Sequence, residues 1–291
     1  MPVCHQQLFC HLDDRYEPGQ PIHYQAGPVK CAFCVRARYN PLRNGRIRRV
    51  LHEDVDAVVA VSHEMGRALE DNGLPAARTV FNGVDPDEGL ADGAAARRFR
   101  EAHGLLGRDV VFYGGRLDRL KGGLELVRAL ARVRRDVPRA TLVTVGDALP
   151  GFQDEMFALA GRLGLPDDAI RGTGWLSGDD LAAAYAAADV VVTPSLCFES
   201  FGLVNVEAMR AGKPVVASPW GGPADVVDDG VTGYLVNPLQ VGVLAERIGR
   251  VLRDPALAAR LGAAGRRRVQ RLFGLDAQLD AVEALYAELV P

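Results

Sequence analysis

The sequence of 291 residues lacks features that define several classes of protein. Its net charge of −3 provides no positive excess for the phosphates of a nucleic acid, which argues against a general nucleic-acid binder. No apolar run approaches the roughly 20 residues that a membrane-spanning helix needs. The first residues also lack the basic and apolar regions of a signal peptide. The expected location is therefore cytoplasmic.

Cysteine is scarce, and five residues in a chain of this length do not make a disulfide framework. Four of the five are close together near the N-terminus, beside His5 and His11. Cys31 and Cys34 have the spacing of half a zinc site, which Cys10 or His11 could complete. Reduced thiols in a loop-rich region are the alternative, so both interpretations stay open.

A basic segment covers residues 30–52, which contain seven Lys and Arg residues and no acidic one. Such a segment could rest on an anionic membrane, which would place the protein on the inner face of that membrane. It could also hold a phosphorylated acceptor. A solvated helix face with a few ion pairs is the alternative.

The middle of the chain alternates short apolar strands with helices. Strands are predicted at 110–113, 141–145, 190–193 and 214–217, with a weaker one near 170, and helices at 123–135, 152–163, 178–187 and 203–211. Apolar β-branched strands that alternate with helices are typical of a doubly wound parallel sheet, so the predicted fold class is α/β. Such sheets bind ligands beyond the carboxyl ends of their strands.

The flanking parts of the chain are predicted with fewer elements. Residues 1–45 should be irregular, and a strand at 56–62 should lead into a helix at 63–72 that Ser62 caps. A second strand is predicted at 79–85, followed by a Gly- and Asp-rich linker with an Ala/Arg helix at 86–107. Helices at 241–252 and 275–289 should close the chain.

The loop after the first strand of the alternating region carries two cations. Gly114 and Gly115 permit a tight turn, and Arg116 and Lys121 follow at the expected edge of the sheet. An arginine fork and a lysine point charge suit a diphosphate. A surface turn with ordinary charges is the alternative interpretation.

The stretch 194–207 carries two carboxylates, Glu199 and Glu207, on either side of Gly202. Gly202 lets the backbone approach a ligand, and the first amides of the helix that follows can meet an anion. Ionised carboxylates accept hydrogen bonds from vicinal hydroxyls. The stretch therefore predicts a site for a phosphorylated, hydroxyl-rich ligand.

Two further loops belong to the same predicted edge. Gly174 and Trp175 could line a nucleobase pocket, although Trp175 could equally be part of the core. Gly221 and Gly222 precede a helix and offer bare amides to an anion.

These residues resemble glycosyltransferase family 4, whose members are retaining, metal-independent enzymes of the GT-B fold. The resemblance covers roughly residues 55–291 and rests on an ordered set of motifs. They are Val61-Ser62, Asn82-Gly83-Val84-Asp85, Gly115-Arg116-Leu117 with Lys121-Gly122, Pro194-Ser195, Glu199-Ser200-Phe201-Gly202-Leu203 with Glu207-Ala208, Gly212-Lys213-Pro214-Val215, Gly221-Gly222 and Gly230-Val231-Thr232-Gly233.

The resemblance implies a complete C-terminal Rossmann-like domain and a partial N-terminal one, because the first strands and the glycine-rich loop of the latter are absent. The implied division is a partial acceptor-side domain at 1–85, a linker at 86–107 and a nucleotide-sugar-binding domain at 108–270. A C-terminal helix at 271–291 would pack back toward the N-terminal domain.

The resemblance also implies roles for single residues. Arg116 and Lys121 would neutralise the departing diphosphate, Glu199 would lie beside the transferred sugar, and Glu207 would hold the ribose. The remaining donor-binding positions would be Gly115, Phe201, Gly202, Leu203, Gly222, Gly174 and Trp175. His5 would match the family's active-site histidine, and Cys10, Cys31 and Cys34 a cysteine pattern of some members. No metal or other cofactor is expected.

The predicted function is transfer of a hexose from a nucleotide-sugar donor to an unknown acceptor, a glycan, lipid or small molecule, with retention of configuration. The bond to be broken is the anomeric C–O bond, and stabilising the leaving diphosphate is the largest contribution a protein can make there. A nucleotide-sugar-binding protein that is inactive without a partner, or a GT-B epimerase, are the alternatives. An open edge on the incomplete first sheet predicts a homo-oligomer.

Overall fold

A computed structural model of the chain describes residues 41–290, with side chains from residue 45 onwards. His5, Cys10, Cys31 and Cys34, and with them the zinc and histidine predictions, lie outside the described residues. The elements are α1 (Pro41–Glu53), β1 (Val58–Ala60), α2 (His63–Asp71), β2 (Ala77–Thr79), α3 (Gly93–Ala102), β3 (Asp109–Gly114), a 3-10 helix (Arg119–Lys121), α4 (Gly123–Asp136), β4 (Ala140–Val145), α5 (Phe152–Arg162), β5 (Ile170–Gly174), α6 (Gly178–Ala187), β6 (Val190–Thr193), α7 (Leu203–Arg210), β7 (Val215–Ala217), α8 (Pro223–Val226), β8 (Gly233–Leu235), α9 (Val241–Arg253), α10 (Pro255–Leu272) and α11 (Leu275–Leu289).

A six-stranded parallel sheet forms the centre of the described chain, in the order β5-β4-β3-β6-β7-β8. The chain adds strands outward from β3 through β4 to β5 and then returns to place β6 on the other side of β3. Loops after β3 and β6 therefore diverge at the carboxyl ends of neighbouring strands, where such sheets open a crevice. The predicted α/β doubly wound sheet is confirmed.

Helices cover both faces of this sheet. On one face, α4, α5 and α9 contribute core side chains such as Leu126, Met156 and Leu244. On the other, Phe99 of α3, Tyr185 of α6 and Val206 of α7 are buried. Because both faces are covered, the central strands can be buried over most of their length, as β4 and the three valines of β6 are.

A smaller parallel pair, β1 and β2, lies before the large sheet, with Val58 opposite Ala77 and Ala60 opposite Thr79. The prediction of a strand at 79–85 was wrong, because the pairing already stops at Thr79. β1 ends at Ala60, and the next turn caps α2 with the Ser62 side chain. Val80 still donates to the carbonyl of Ala60 at 2.9 Å, but residues 81–85 belong to no strand, and within them Val84 forms an isolated bridge to Gly274.

Two helices differ from the expectations: α1 overlaps the basic segment, for which a solvated helix face was one of the interpretations, and α10 was not predicted. α1 starts at Pro41, inside the stretch expected to be irregular, and proline is tolerated there because the first amide of a helix needs no partner. Arg48 of α1 donates to the carbonyl of Asn72, and Arg49 pairs with Glu53. α10 begins after Asp254, which accepts from the backbone N–H of Leu257.

The stretch predicted as a linker contains α3, which packs on α6 through the guanidinium of Arg100. This group donates to the carbonyl of Ala187 at 2.6 Å and to both oxygens of Asp189 at 2.9 Å. The domain boundaries themselves remain predictions. Within residues 41–290 there is no helix that combines the length and the apolar character required to span a membrane.

Candidate functional site

A cavity of about 290 Å³ opens where the loops after β3 and β6 separate. It brings together predicted residues that are distant in sequence, and its lining adds several that were not predicted. The predicted members are Gly115, Arg116, Lys121, Glu199, Phe201, Gly202 and Leu203. The edge of the sheet thus holds cations, a carboxylate and the first turn of α7 in one place.

Lys121 and Glu199 form an ion pair at the cavity wall, with side chains 27% and 20% exposed. The Ser195 hydroxyl donates to the same oxygen of Glu199, Oε1, at 2.5 Å. Ser195 is itself buried, so the carboxylate is held from two sides. Because Lys121 is a flexible point charge, an incoming phosphate can share this ammonium without displacing the loop.

Arg116 is oriented by Asp118, a buried residue that the sequence analysis did not single out. One oxygen of Asp118 accepts from Nε of Arg116 at 2.6 Å, and the other accepts from the backbone N–H of Lys121 at 2.9 Å. Among the described residues Arg116 makes this ion pair through Nε and remains 60% exposed. Its terminal nitrogens therefore face solvent at the cavity, available to an anion.

The two loops approach each other so closely that a side chain would not fit between them. Gly122 has φ +74° and a Cβ there would overlap the carbonyl oxygen of Pro194. The backbone N–H of Leu196 donates to the carbonyl of Leu120 at 2.7 Å across the same gap. Close backbone contact thus fixes the cations of one loop relative to the carboxylate of the other.

Glu207 lies on α7 four residues after Leu203, on the same side of the helix, although it is not among the residues that line the cavity. Its Oε2 accepts from the hydroxyl of Tyr185 at 2.6 Å. Burial and then the negative charge of Glu207 raise the pKa of Tyr185 well above its ordinary value. The phenol therefore stays protonated and acts as the donor.

Besides Glu207, three predicted donor-binding residues, Gly174, Trp175 and Gly222, do not line the cavity. Trp175 is 69% exposed, so the alternative that it belongs to the core was wrong. Trp175 directly follows β5, which is an edge strand of the large sheet. Gly222 packs on the cavity loop instead, with its N–H donating to the carbonyl of Glu199 at 2.8 Å.

Cys197 lies in the same loop but is not a candidate nucleophile. Burial and then the charge of Glu199 raise the pKa of its thiol to about 11. The thiol is therefore neutral near pH 7, and a neutral thiol is a poor nucleophile.

The N-terminal part of the described chain also reaches the cavity. Asn82 lines it, and the buried hydroxyl of Ser62 donates to the carbonyl of Ser200 at 2.7 Å. On the outer side, Asp225 accepts from the backbone N–H of Glu64 at 3.3 Å and lies 3.2 Å from Nδ1 of His63. The bond of Ser62 joins the start of α2 to the loop that carries Glu199, and the contacts of Asp225 join it to α8.

The structure adds Asp118, Ser195 and Tyr185 to the candidate site. Asp118 stands three residues before Lys121, the spacing of a side chain that caps a helical turn, and this signal could have identified it. Ser195 belongs to the Pro194-Ser195 motif, but no role was predicted for it. Tyr185 has no local signal, because its partner is 22 residues further along the chain.

Comparisons with known proteins point in one direction. The sequence model of the family described as "Glycosyl transferases group 1" matches residues 96–268. A GDP-mannose-dependent alpha-(1-6)-phosphatidylinositol monomannoside mannosyltransferase of Mycolicibacterium smegmatis is 35% identical over 234 residues, 78% of this chain and 60% of that protein. A D-inositol 3-phosphate glycosyltransferase of Salinispora arenicola is 37% identical over 218 residues, 72% of this chain and 47% of that protein.

Solved structures agree with these relatives. Anabaena Alr3699/HepE, crystallised with UDP and glucose, superposes with a TM-score of 0.78 at 28% identity, covering 86% of this chain and 68% of that one. A sucrose-phosphate synthase of Thermosynechococcus elongatus gives a TM-score of 0.75 at 33% identity, covering 87% and 63%. The matches to the curated relatives span about half to two thirds of their length.

These similarities confirm the predicted Rossmann-like GT-B fold class and the prediction of a glycosyltransferase. The family match includes β3 to β8 and with them both loops of the cavity. The chain belongs to the group 1 glycosyl transferases.

Proposed function

We propose that this protein transfers a hexose from a nucleoside-diphosphate sugar to an acceptor with retention of configuration, as members of glycosyltransferase family 4 do. The observation that carries the proposal is the meeting of Arg116, Lys121 and Glu199 in one cavity at the switch point of the sheet. The mannosyltransferase relative is described as GDP-mannose-dependent, and the Anabaena protein was crystallised with UDP-glucose, so both support a nucleotide-sugar donor.

In the proposed reaction the acceptor hydroxyl oxygen bonds to the anomeric carbon while the bond from that carbon to the β-phosphate oxygen breaks. The electron pair of the broken bond stays on the diphosphate, and the acceptor proton passes to the departing phosphate. Arg116 and Lys121 would stabilise the growing negative charge, because fixed cations in a partly dehydrated site require little rearrangement. We propose that this occurs without a metal.

Different residues would bind different parts of the donor. Backbone amides at the start of α7, from Phe201 to Leu203, would meet phosphate and sugar oxygens, since a helix N-terminus favours anions. Glu199, held by Lys121 and Ser195, would accept from sugar hydroxyls. Glu207 would accept from the ribose hydroxyls.

Calorimetric titration with UDP, GDP and ADP tests this assignment. Lys121→Ala should weaken binding of the preferred diphosphate at least tenfold, because a charged hydrogen bond contributes roughly 1.5–3 kcal/mol. Arg119→Ala is a matched control: it removes a cation from the same 3-10 helix, but one that is 70% exposed and paired with Glu155. Equal affinity in Lys121→Ala and wild type would refute the site.

The transfer itself needs a second measurement. Incubation with nucleotide sugars should release nucleoside diphosphate slowly, and more quickly when an acceptor is present. Donor binding without release from any donor would favour the alternative, a nucleotide-sugar-binding protein that does not turn over.

A further inference from the structure

The buried phenol of Tyr185 touches one of the two carboxylates assigned to donor binding. Tyr185 stands in the last turn of α6, 4% exposed, with its ring centroid 4.6 Å from that of Phe112 on β3. Its hydroxyl reaches across to α7 and donates to Oε2 of Glu207 at 2.6 Å. Three elements therefore fix the position of this one hydroxyl.

Glu207 needs such a partner to hold one orientation. A glutamate side chain has three rotatable bonds and loses up to about 2 kcal/mol of conformational free energy when it is ordered. Among the described residues no cation pairs with Glu207, and Arg210 one turn further on donates to the carbonyl of Asp85 instead. Tyrosine has only two rotatable bonds, and the packing on Phe112 fixes its ring.

The bond also divides the carboxylate between two tasks. Oε2 accepts from the phenol, and among the described residues no donor bonds to Oε1. A carboxylate that already accepts one bond from a rigid donor presents its other oxygen in a defined direction, as preorganised sites require.

We propose that Tyr185 is a positioning residue that holds Glu207 in the orientation in which it accepts hydrogen bonds from the ribose hydroxyls of the donor. The inference rests on the proposed function and extends it to the selection of ribonucleotides over deoxyribonucleotides. A purely structural role is the competing explanation, since any buried tyrosine hydroxyl requires an acceptor. If Tyr185 positions Glu207, loss of its hydroxyl changes the selectivity for ribonucleotides. If its role is purely structural, loss of the hydroxyl changes only the stability of the protein.

Tyr185→Phe removes the hydroxyl and keeps the ring against Phe112. Calorimetric titration would compare the diphosphate that the wild type prefers among UDP, GDP and ADP with its 2′-deoxy and 3′-deoxy forms. Wild type should bind the ribonucleotide at least tenfold more tightly than a deoxy form. In Tyr185→Phe the affinity for the ribonucleotide should fall about fivefold, and that for the deoxy forms less than twofold, so the ratio collapses.

Tyr234→Phe is the matched control, because it removes the hydroxyl of another buried tyrosine, on β8, and should leave the ratio unchanged. Glu207→Asp provides a second variant if Tyr185→Phe does not fold. The shorter side chain cannot reach both the phenol and the ribose, so the same collapse of the ratio is expected.

A wild-type ratio retained in Tyr185→Phe, or in Glu207→Asp where it replaces that variant, would overturn the inference while leaving the proposed function intact. A wild type that binds ribonucleotide and deoxyribonucleotide equally would also overturn it. A wild type that binds none of the three diphosphates would refute the proposed function itself, and the inference with it.

Discussion

Asp118 shows how one short side chain can organise two charged neighbours. Its two oxygens hold Nε of Arg116 and the backbone N–H of Lys121, so both cations of the loop depend on one buried carboxylate. A buried carboxylate is costly unless its oxygens are paired, and here each one has a donor. The loop therefore has a defined shape before any ligand arrives.

Gly122 offers a test of how tightly this loop is packed. Gly122→Ala should cost about 3 kcal/mol of unfolding free energy: roughly 1 for a left-handed backbone and about 2 for the overlap with the carbonyl of Pro194. Gly164→Ala is matched in backbone, with φ +71° against +74°, but has no heavy atom within 4 Å of the added carbon. It should cost only about 1 kcal/mol. Urea unfolding curves that shift equally would contradict the packing argument.

At the scale of elements, α3 contacts the central sheet through the buried ring of Phe99 and through one arginine. Arg100 is 23% exposed at its side chain, and it bridges the carbonyl of Ala187 and the carboxylate of Asp189. Asp189 in turn accepts from the backbone N–H of Val110 at 2.7 Å. The contact therefore connects α3, the end of α6 and the first residues of β3.

Arg100→Met keeps the apolar part of the side chain and removes the guanidinium. We expect a loss of about 1–2 kcal/mol, because the carbonyl of Ala187 and the partly exposed carboxylate of Asp189 lose a charged donor. Arg97→Met on the same helix removes an exposed pair with Glu101 and should change stability by less than about 0.5 kcal/mol. The melting temperatures of the two variants measure this difference. Similar melting temperatures would show that α3 packs on the sheet by its apolar face alone.

For the whole molecule, three phenylalanines join the N-terminal part of the described chain to the large sheet. Phe273 lies 5.3 Å from Phe81 and 5.6 Å from Phe201 between ring centroids. Beside them, the backbone N–H of Leu275 donates to the carbonyl of Val84 at 3.1 Å. The end of the chain thus packs against both the residues after β2 and the loop that lines the cavity.

Phe273→Ala should destabilise the protein by about 3–5 kcal/mol, since a fully buried ring leaves a cavity that three elements share. Unfolding should remain a single transition, because hydrogen bonds from Ser62 to Ser200 and from Leu275 to Val84 still connect the two parts. Leu279→Ala on α11, at a position 49% exposed, should cost less than about 1 kcal/mol. Urea unfolding followed by circular dichroism measures both, and a second transition in Phe273→Ala would show that the two parts unfold separately.

Local patterns of apolar residues in the sequence predicted much of the fold. Predicted and observed bounds agree for β6 and α6, because a run of β-branched residues predicts a strand and an alanine-rich periodic segment predicts a helix without reference to the rest of the chain. α10 was missed although Asp254 and Pro255 announce a helix start, and β2 was placed too late because its end depends on where β1 stops. The residues of a strand do not show which other strand it pairs with.

The sequence by itself determined the α/β class, the order of the motifs and the residue types in the two loops, since each follows from short-range spacing. Only the tertiary structure decided that Asp118 orients Arg116, that Tyr185 holds Glu207, and that Trp175 lies outside the cavity. These facts depend on the directions in which side chains leave separate elements. Such directions are set by packing across the sheet, which no local stretch of sequence records.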